Sequence, residues 1–178
     1  AERTLRNFPE WRSFPRMKRL TSGPSQFAAL DDQGHLFTWG QGAYGKLGHG
    51  TEDCYLIPRR VMELESVPLQ QVACGTCHTV ALSTSGKVYT WGWNSSGRTG
   101  HGTQEGKQMH PRLVQRLVSK EIRHVAAGAG HTAAVATWNG PLGLSTHCND
   151  VYTWGSGESG KLGHGNETCQ LVPQRVEG

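Results

Sequence analysis

With 178 residues, 24 Gly, 8 Pro, 6 Trp and no apolar run near the ~20 residues a membrane-spanning helix needs, the chain is expected to be a soluble, turn-rich and mostly β protein. Its formal charge of +4 is concentrated at one end: residues 1–20 hold six basic and two acidic side chains, and the other 12 basic and 12 acidic residues cancel, leaving the body of the chain no basic field for nucleic acid. Five cysteines, an odd number, with no secretory signal predict free thiols in a reducing compartment, the cytoplasm or nucleus.

In chain order, residues 1–19 form a basic, aromatic leading segment or linker. Leu5, Phe8, Trp11, Phe14, Met17 and Leu20 fall at every third position, and Pro9 and Pro15 oppose one long helix. That period suits an extended polyproline-like strand or short helical turns with one apolar side. Phe8, Trp11 and Phe14 are therefore candidate partner-binding residues, against the alternative of a linker lying on the protein's own flank.

Residues 20–178 repeat. A worn first copy, Ser22 to Gln26 followed by Phe27 to Leu30, precedes Leu36-Phe-Thr-Trp-Gly40, a glycine-studded stretch ending in Gly48-His-Gly50, and Pro58-Arg-Arg-Val61. Val72 to Thr79 then has the form V-A-x-G-x-x-H-T and runs into Val80-Ala-Leu82. The cycle returns as Val88 to Gly92, Gly100-His-Gly102, Pro111 to Val114 and Val125 to Thr132, and again as Val151 to Gly155, Gly163-His-Gly165 and Pro173 to Val176. Trp39 to Trp91 spans 52 residues and Trp91 to Trp154 spans 63, the extra length falling in an insertion at 136–150. Each period, with repeat starts near 36, 88 and 151, reads as four short strands, which is one propeller blade.

Several strings imitate chemistry, and the repeat register judges each. Gly40 to Gly45 and Gly155 to Gly160 spell G-x-G-x-x-G, but no helix can follow to hold a pyrophosphate; a turn with residues tolerant of positive φ explains them and their middle copy, where Asn94 replaces the second Gly. Lys46 and Lys161 complete G-x-x-x-x-G-K, yet Leu47 and Leu162 stand where a magnesium-binding hydroxyl is needed, so both lysines read as loop charges. Cys74-Gly-Thr-Cys77-His78 is a haem-attachment or redox string, but its counterparts carry Ser, Ala and Gly at the two cysteine positions, as a tight corner would require.

His49, His101 and His164, like His78 and His131, lie one per blade rather than clustered as zinc ligands are, so they read as structural residues bonding a loop carbonyl in each copy. Cys54 and Cys169 read as small, semi-buried side chains, and Trp39, Trp91 and Trp154 as aromatics buried between blades. No catalytic residue, cofactor or metal is expected. Trp93 and Trp138 do not recur, which makes them candidates for surface contacts, and the insertion adds Pro141, Leu142 and Leu144 as apolar side chains on a protruding loop, against the alternative of a neutral one.

The W-G, K/R-x-G-H-G, P-x-x-V and A-G-x-x-H-T elements, in that order and in register, resemble the regulator of chromosome condensation family. The resemblance implies an all-β, seven-bladed propeller needing roughly twice this chain, so about three four-stranded antiparallel blades are expected here as an incomplete ring, a piece of a longer protein or an arc whose open edges another chain covers. It also implies a non-catalytic protein-interaction module of a larger regulatory or scaffold protein, such as one recruiting substrates to a ubiquitin ligase. The alternatives it implies are guanine-nucleotide exchange on a Ran-like small GTPase and chromatin binding. Exchange is implied to use acidic and histidine side chains on loops such as 23–26, 75–78 and 128–131, none of which contains a carboxylate here, and chromatin binding would rest on Arg3 to Arg19. Protein partners are expected, nucleic acid only through residues 1–19, and no membrane.

Overall fold

The computed structural model describes residues 15–137 and 149–177. Among these residues twelve strands form three antiparallel four-stranded sheets, each taking its strands in chain order. The first holds β1 (Met17–Ser22), β2 (Gln26–Asp31), β3 (Leu36–Gly40) and β4 (Tyr55–Arg60). The second holds β5 (Leu69–Cys74), β6 (His78–Ser83), β7 (Val88–Trp93) and β8 (Lys107–Leu113). The third holds β9 (Glu121–Ala127), β10 (His131–Thr137), β11 (Asn149–Gly155) and β12 (Gln170–Arg175). No helix among the described residues is long and apolar enough to cross a membrane.

The sheets begin at Met17, Leu69 and Glu121, so the sequence repeats starting near 36, 88 and 151 open at the third strand of each sheet. The reason is local. Tight turns such as Asp31 to His35 and Ser83 to Lys87 fold β2 onto β3 and β6 onto β7, whereas Val61 to Pro68, with one 3-10 turn at Met62–Leu64, carries the chain into the next sheet. The third sheet is complete without another A-G-x-x-H-T pair, which would open a further sheet.

Burial lies between sheets. Leu30, Leu36, Val61, Leu69 and Trp91 close the first junction, and Val88, Val114, Ile122, Val125 and Trp154 the second. Trp91 and Trp154 are 0% exposed. Each removes on the order of 150–250 Å² from water, roughly 4–6 kcal/mol of transfer free energy before ordering costs.

The G-x-G-x-x-G strings end in a single 3-10 turn, with no α-helix behind them. The expected reason for the second glycine needs correction, because Gly42, Asn94 and Gly157 have φ of −93, −101 and −91. Gly42 is required for space, since a Cβ there would lie 1.8 Å from the Asp53 carbonyl oxygen. Positive φ falls instead on the flanking glycines and on Tyr44, Ser96 and Ser159.

Candidate functional site

The recurring side chains bond within each sheet and across its junctions. The Thr38 hydroxyl donates to the Leu47 carbonyl at 2.7 Å and lies 2.9 Å from His49 Nε2. Having spent its proton, that hydroxyl can only accept, so His49 donates from Nε2. Thr90 with His101 and Thr153 with His164 repeat the arrangement at 3.0 Å. The partner of each G-H-G histidine is thus a threonine hydroxyl rather than the loop carbonyl expected from the sequence. Burial, then Arg59, pushes the His49 pKa down. Burial, then Arg112, brings His101 to about 4.

The second histidine series spans neighbouring sheets. His78 Nε2 lies 2.9 Å from Thr132 Oγ1, which donates at 2.8 Å to the Arg98 carbonyl. One junction earlier Gln26 takes the histidine's place, 3.2 Å from Thr79 Oγ1, and Thr79 donates to the Lys46 carbonyl at 2.7 Å. Burial brings His78 to about 3, so its ring is neutral, with Nε2 as donor and the partnerless Nδ1 left as a lone pair over Gly75. His131 lies at the same corner of the third sheet, its pKa lowered by burial and Lys161.

Trp91 donates from Nε1 to the Lys46 carbonyl at 2.9 Å and lies against Gly48; Trp154 lies in the same way against Gly100. Trp39, on the first sheet, is only partly buried and stacks on Phe27 with centroids 5.4 Å apart.

Trp93 is partly buried at the end of β7. It stacks on Tyr44 from the neighbouring sheet at 4.8 Å and 15°, and the Arg98 guanidinium covers it at 4.8 Å. Lys107 sits 5.6 Å over the Tyr44 ring and pairs with Glu52, whose other oxygen accepts from the Tyr44 amide at 3.2 Å. The Lys107 bond, then that amide, lowers the Glu52 pKa. Two aromatics from adjacent sheets are thereby stacked between two cations at a loop end of the protein. Aromatic and arginine side chains of this kind dominate protein–protein hot spots. The sequence reading missed Tyr44, although Ser96 and Ser159 occupy its positions in the other copies and the comparison that singled out Trp93 would have found it.

Lys46 corrects a further expectation. Only 1% exposed, it is no solvated loop charge: its ammonium donates to Ser25 at 2.7 Å and Gln41 at 3.1 Å, and burial lowers its pKa. Lys161 is exposed and pairs with Glu158 at 3.5 Å. Cys54 is exposed rather than semi-buried, because the β3–β4 loop turns it outward, while Cys169 is partly buried. Cys74 and Cys77 are free, and burial pushes the Cys74 thiol up to about 12, away from the thiolate that redox chemistry needs. Among the described residues no three His, Cys, Asp or Glu side chains come together as metal ligands.

Phe8, Trp11, Phe14, Trp138, Pro141, Leu142 and Leu144 lie outside the described residues. The described residues on either side of 138–148 are paired with each other. Thr137 pairs with Asn149 at the opposite end of the third sheet from the His131–Gly155 pair. In the second sheet Trp93 lies at the end marked by the equivalent His78–Gly92 pair, so Thr137 and Asn149 stand at the other end of their sheet.

The chain matches the family model described as "Regulator of chromosome condensation (RCC1) repeat" over residues 33–82, 85–135 and 149–178, and a second model of that description over 70–98. It is 37% identical over 158 residues to the Ultraviolet-B receptor UVR8 of Arabidopsis thaliana, covering 88% of this chain and 33% of that protein. It is 35% identical over 156 residues to the E3 ubiquitin-protein ligase HERC2 of Homo sapiens, covering 88% of this chain and 3% of the ligase. Among solved structures, Prp20p from Saccharomyces cerevisiae, described together with its binding to Gsp1p and histones, superposes with a TM-score of 0.78 at 24% identity, over 93% of this chain and 39% of that one.

Proposed function

As a member of the regulator of chromosome condensation (RCC1) repeat family, built of three propeller sheets, this chain is, we propose, a non-catalytic protein-interaction module that engages its partner through the Tyr44–Trp93 surface. The observation that carries this reading is the division of labour between recurring and non-recurring residues. Trp91, Trp154, His78 and the threonines are spent on the junctions, whereas Tyr44, Trp93 and Lys107 break the repeat in concert and remain at the loop end, with Arg98, at the recurring basic position, over the Trp93 ring.

Recruitment of a substrate to a ubiquitin ligase, in the cytoplasm or nucleus, is the specific form supported by the likeness to HERC2. Nucleotide exchange draws less support, because the three corner loops carry no carboxylate and His78 is buried against Thr132. The test compares the proteins captured by the native chain and by a Tyr44→Ser, Trp93→Ala variant whose thermal transition remains cooperative. A partner held only by the native chain supports the proposal. An unchanged set of partners overturns the surface, and acceleration of nucleotide release from a small GTPase would favour exchange instead.

A further inference from the structure

The second junction departs from the first at three neighbouring positions, and the departures surround a cavity. In the passage between the first and second sheets, Glu63 of the 3-10 turn pairs with His110 of β8, while Val67 and Tyr89 pack against the buried core. In the passage between the second and third sheets the corresponding residues are Arg116, Val172 and Lys120, with Tyr152 in the place of Tyr89. A carboxylate is thus replaced by a guanidinium, its imidazole partner by an aliphatic side chain, and a packed valine by an ammonium.

These residues line a cavity of about 440 Å³ together with Pro173 and Arg175. Both walls belong to the junction itself. Tyr152 is buried in the cluster that holds Val88 and Val114 of the second sheet, and Arg175, its cross-strand partner, shares that face of the third sheet. Lys120 Nζ stands 6.0 Å from the centre of the Tyr152 ring. Arg175 donates from Nε to Asp150 at 3.1 Å, which offsets its charge. Among the described residues the Arg116 side chain has no hydrogen-bond or ion-pair partner, and that of Lys120 has only the ring contact. Two uncompensated cations therefore share one opening with an apolar floor of Tyr152 and Pro173, both buried.

We propose that this cavity receives a phosphorylated serine or threonine side chain of a protein partner. Its two free positive charges match the charge of about −1.5 to −2 that a phosphate monoester carries at neutral pH, whereas a carboxylate would leave one cation unmatched. Arg116 supplies a planar fork for two phosphate oxygens and Lys120 a point charge for the third. Arg116, Lys120 and Arg175 are all exposed, so a free phosphate ion would keep most of its hydration and gain little there. A phosphate carried on a chain adds the contacts of its neighbours with Gln174 and the Tyr152–Pro173 floor. The cavity is separate from the Tyr44–Trp93 surface: the Val114 amide, which leads into the turn, bonds the Val88 carbonyl at the start of β7, and Trp93 ends that strand.

The experiment is an amide chemical-shift titration of the 178-residue chain with four probes at up to about 10 mM. They are a capped Ala-Ala-phosphoserine-Ala-Ala peptide, the same peptide unphosphorylated, the same peptide with glutamate in place of phosphoserine, and inorganic phosphate. The phosphopeptide is expected to shift the amides of 115–120 and 174–175 and to bind at least about tenfold more tightly than the other three. Arg116→Glu with Lys120→Val restores the residues of the first junction, and Arg116→Gln with Lys120→Gln removes the charges alone. Each pair should weaken phosphopeptide binding at least about tenfold while the amide signals of Trp93 and His101 stay in place. Shifts confined to other residues, no saturable shift, equal binding of the unphosphorylated or glutamate peptide, or binding that survives both double variants overturns the proposal. Inorganic phosphate that binds as tightly as the phosphopeptide overturns it too, the cavity then holding a free ion.

Discussion

The imidazole Nε2 of His78 lies 2.9 Å from the hydroxyl of Thr132, across the boundary between the second and third sheets. Both groups are fully buried, and the same threonine donates onward to the Arg98 carbonyl. The first junction makes the equivalent link with Gln26 and Thr79.

His78→Ala removes a bonded, packed ring and should cost about 2–3 kcal/mol in urea unfolding. His78→Gln should cost about 1 kcal/mol, because glutamine already makes this contact one junction earlier. Equal losses for the two would show that the ring acts by volume alone.

Acid should loosen the protein through the same histidines. His101 titrates near 4 in the folded protein and near 6.5 when unfolded, and His78 nearer 3. The unfolded chain therefore takes up protons that the folded one refuses. Stability is complete above 6.5 and falls as pH drops toward 4, by up to about 1.4 kcal/mol per pH unit for each histidine. Urea midpoints measured across that window should flatten in a His101→Gln variant.

The Tyr44–Trp93 stack should be measurable by a double-mutant cycle. Tyr44→Ser reproduces the residue of the other two sheets and should leave the fold intact. Together with Trp93→Ala it should give a coupling of about 0.5–1.5 kcal/mol in thermal unfolding.

Gly48→Ala should cost more than Gly106→Ala, although both positions have positive φ, 79 and 106. The Gly48 methyl would meet Trp91 Nε1 at 2.8 Å, whereas the Gly106 methyl would meet nothing within 4 Å. Backbone strain alone is worth about 1 kcal/mol, and the clash should bring Gly48→Ala above about 2 kcal/mol.

Alkylation mapped by mass spectrometry at about pH 7.5 should label Cys54 before Cys74, since one thiol is exposed and the other is partly buried with its pKa pushed up to about 12. Early labelling of Cys74 would show that the first junction opens on its own.

The strands and their turns were legible because alternation and glycine placement are local properties: Val88 to Gly92 reads as a strand wherever its neighbours lie. The phase of the sheets was not, because a period has no origin. Only the contrast between the tight Ser83–Lys87 turn and the longer Val61–Pro68 passage tells which strands stay together. Thr132 escaped notice as the partner of His78 because 54 residues separate them and nothing but the three-dimensional stacking brings them near. Lys46 was misjudged for the same reason, its cover being supplied by loops that precede it and by the next sheet. Tyr44 could have been found, since its departure from serine is written in the repeat.

The matched repeat at 33–82 takes in the third and fourth strands of one sheet and the first and second of the next. Each heritable unit thus carries a seam with both its lips, and copying or exchanging one such unit transplants an already mated joint. A chimera cut between Arg60 and Leu69 would instead place strangers on either side of every seam it made, and should assemble worse than one cut at residue 33 although it moves whole sheets.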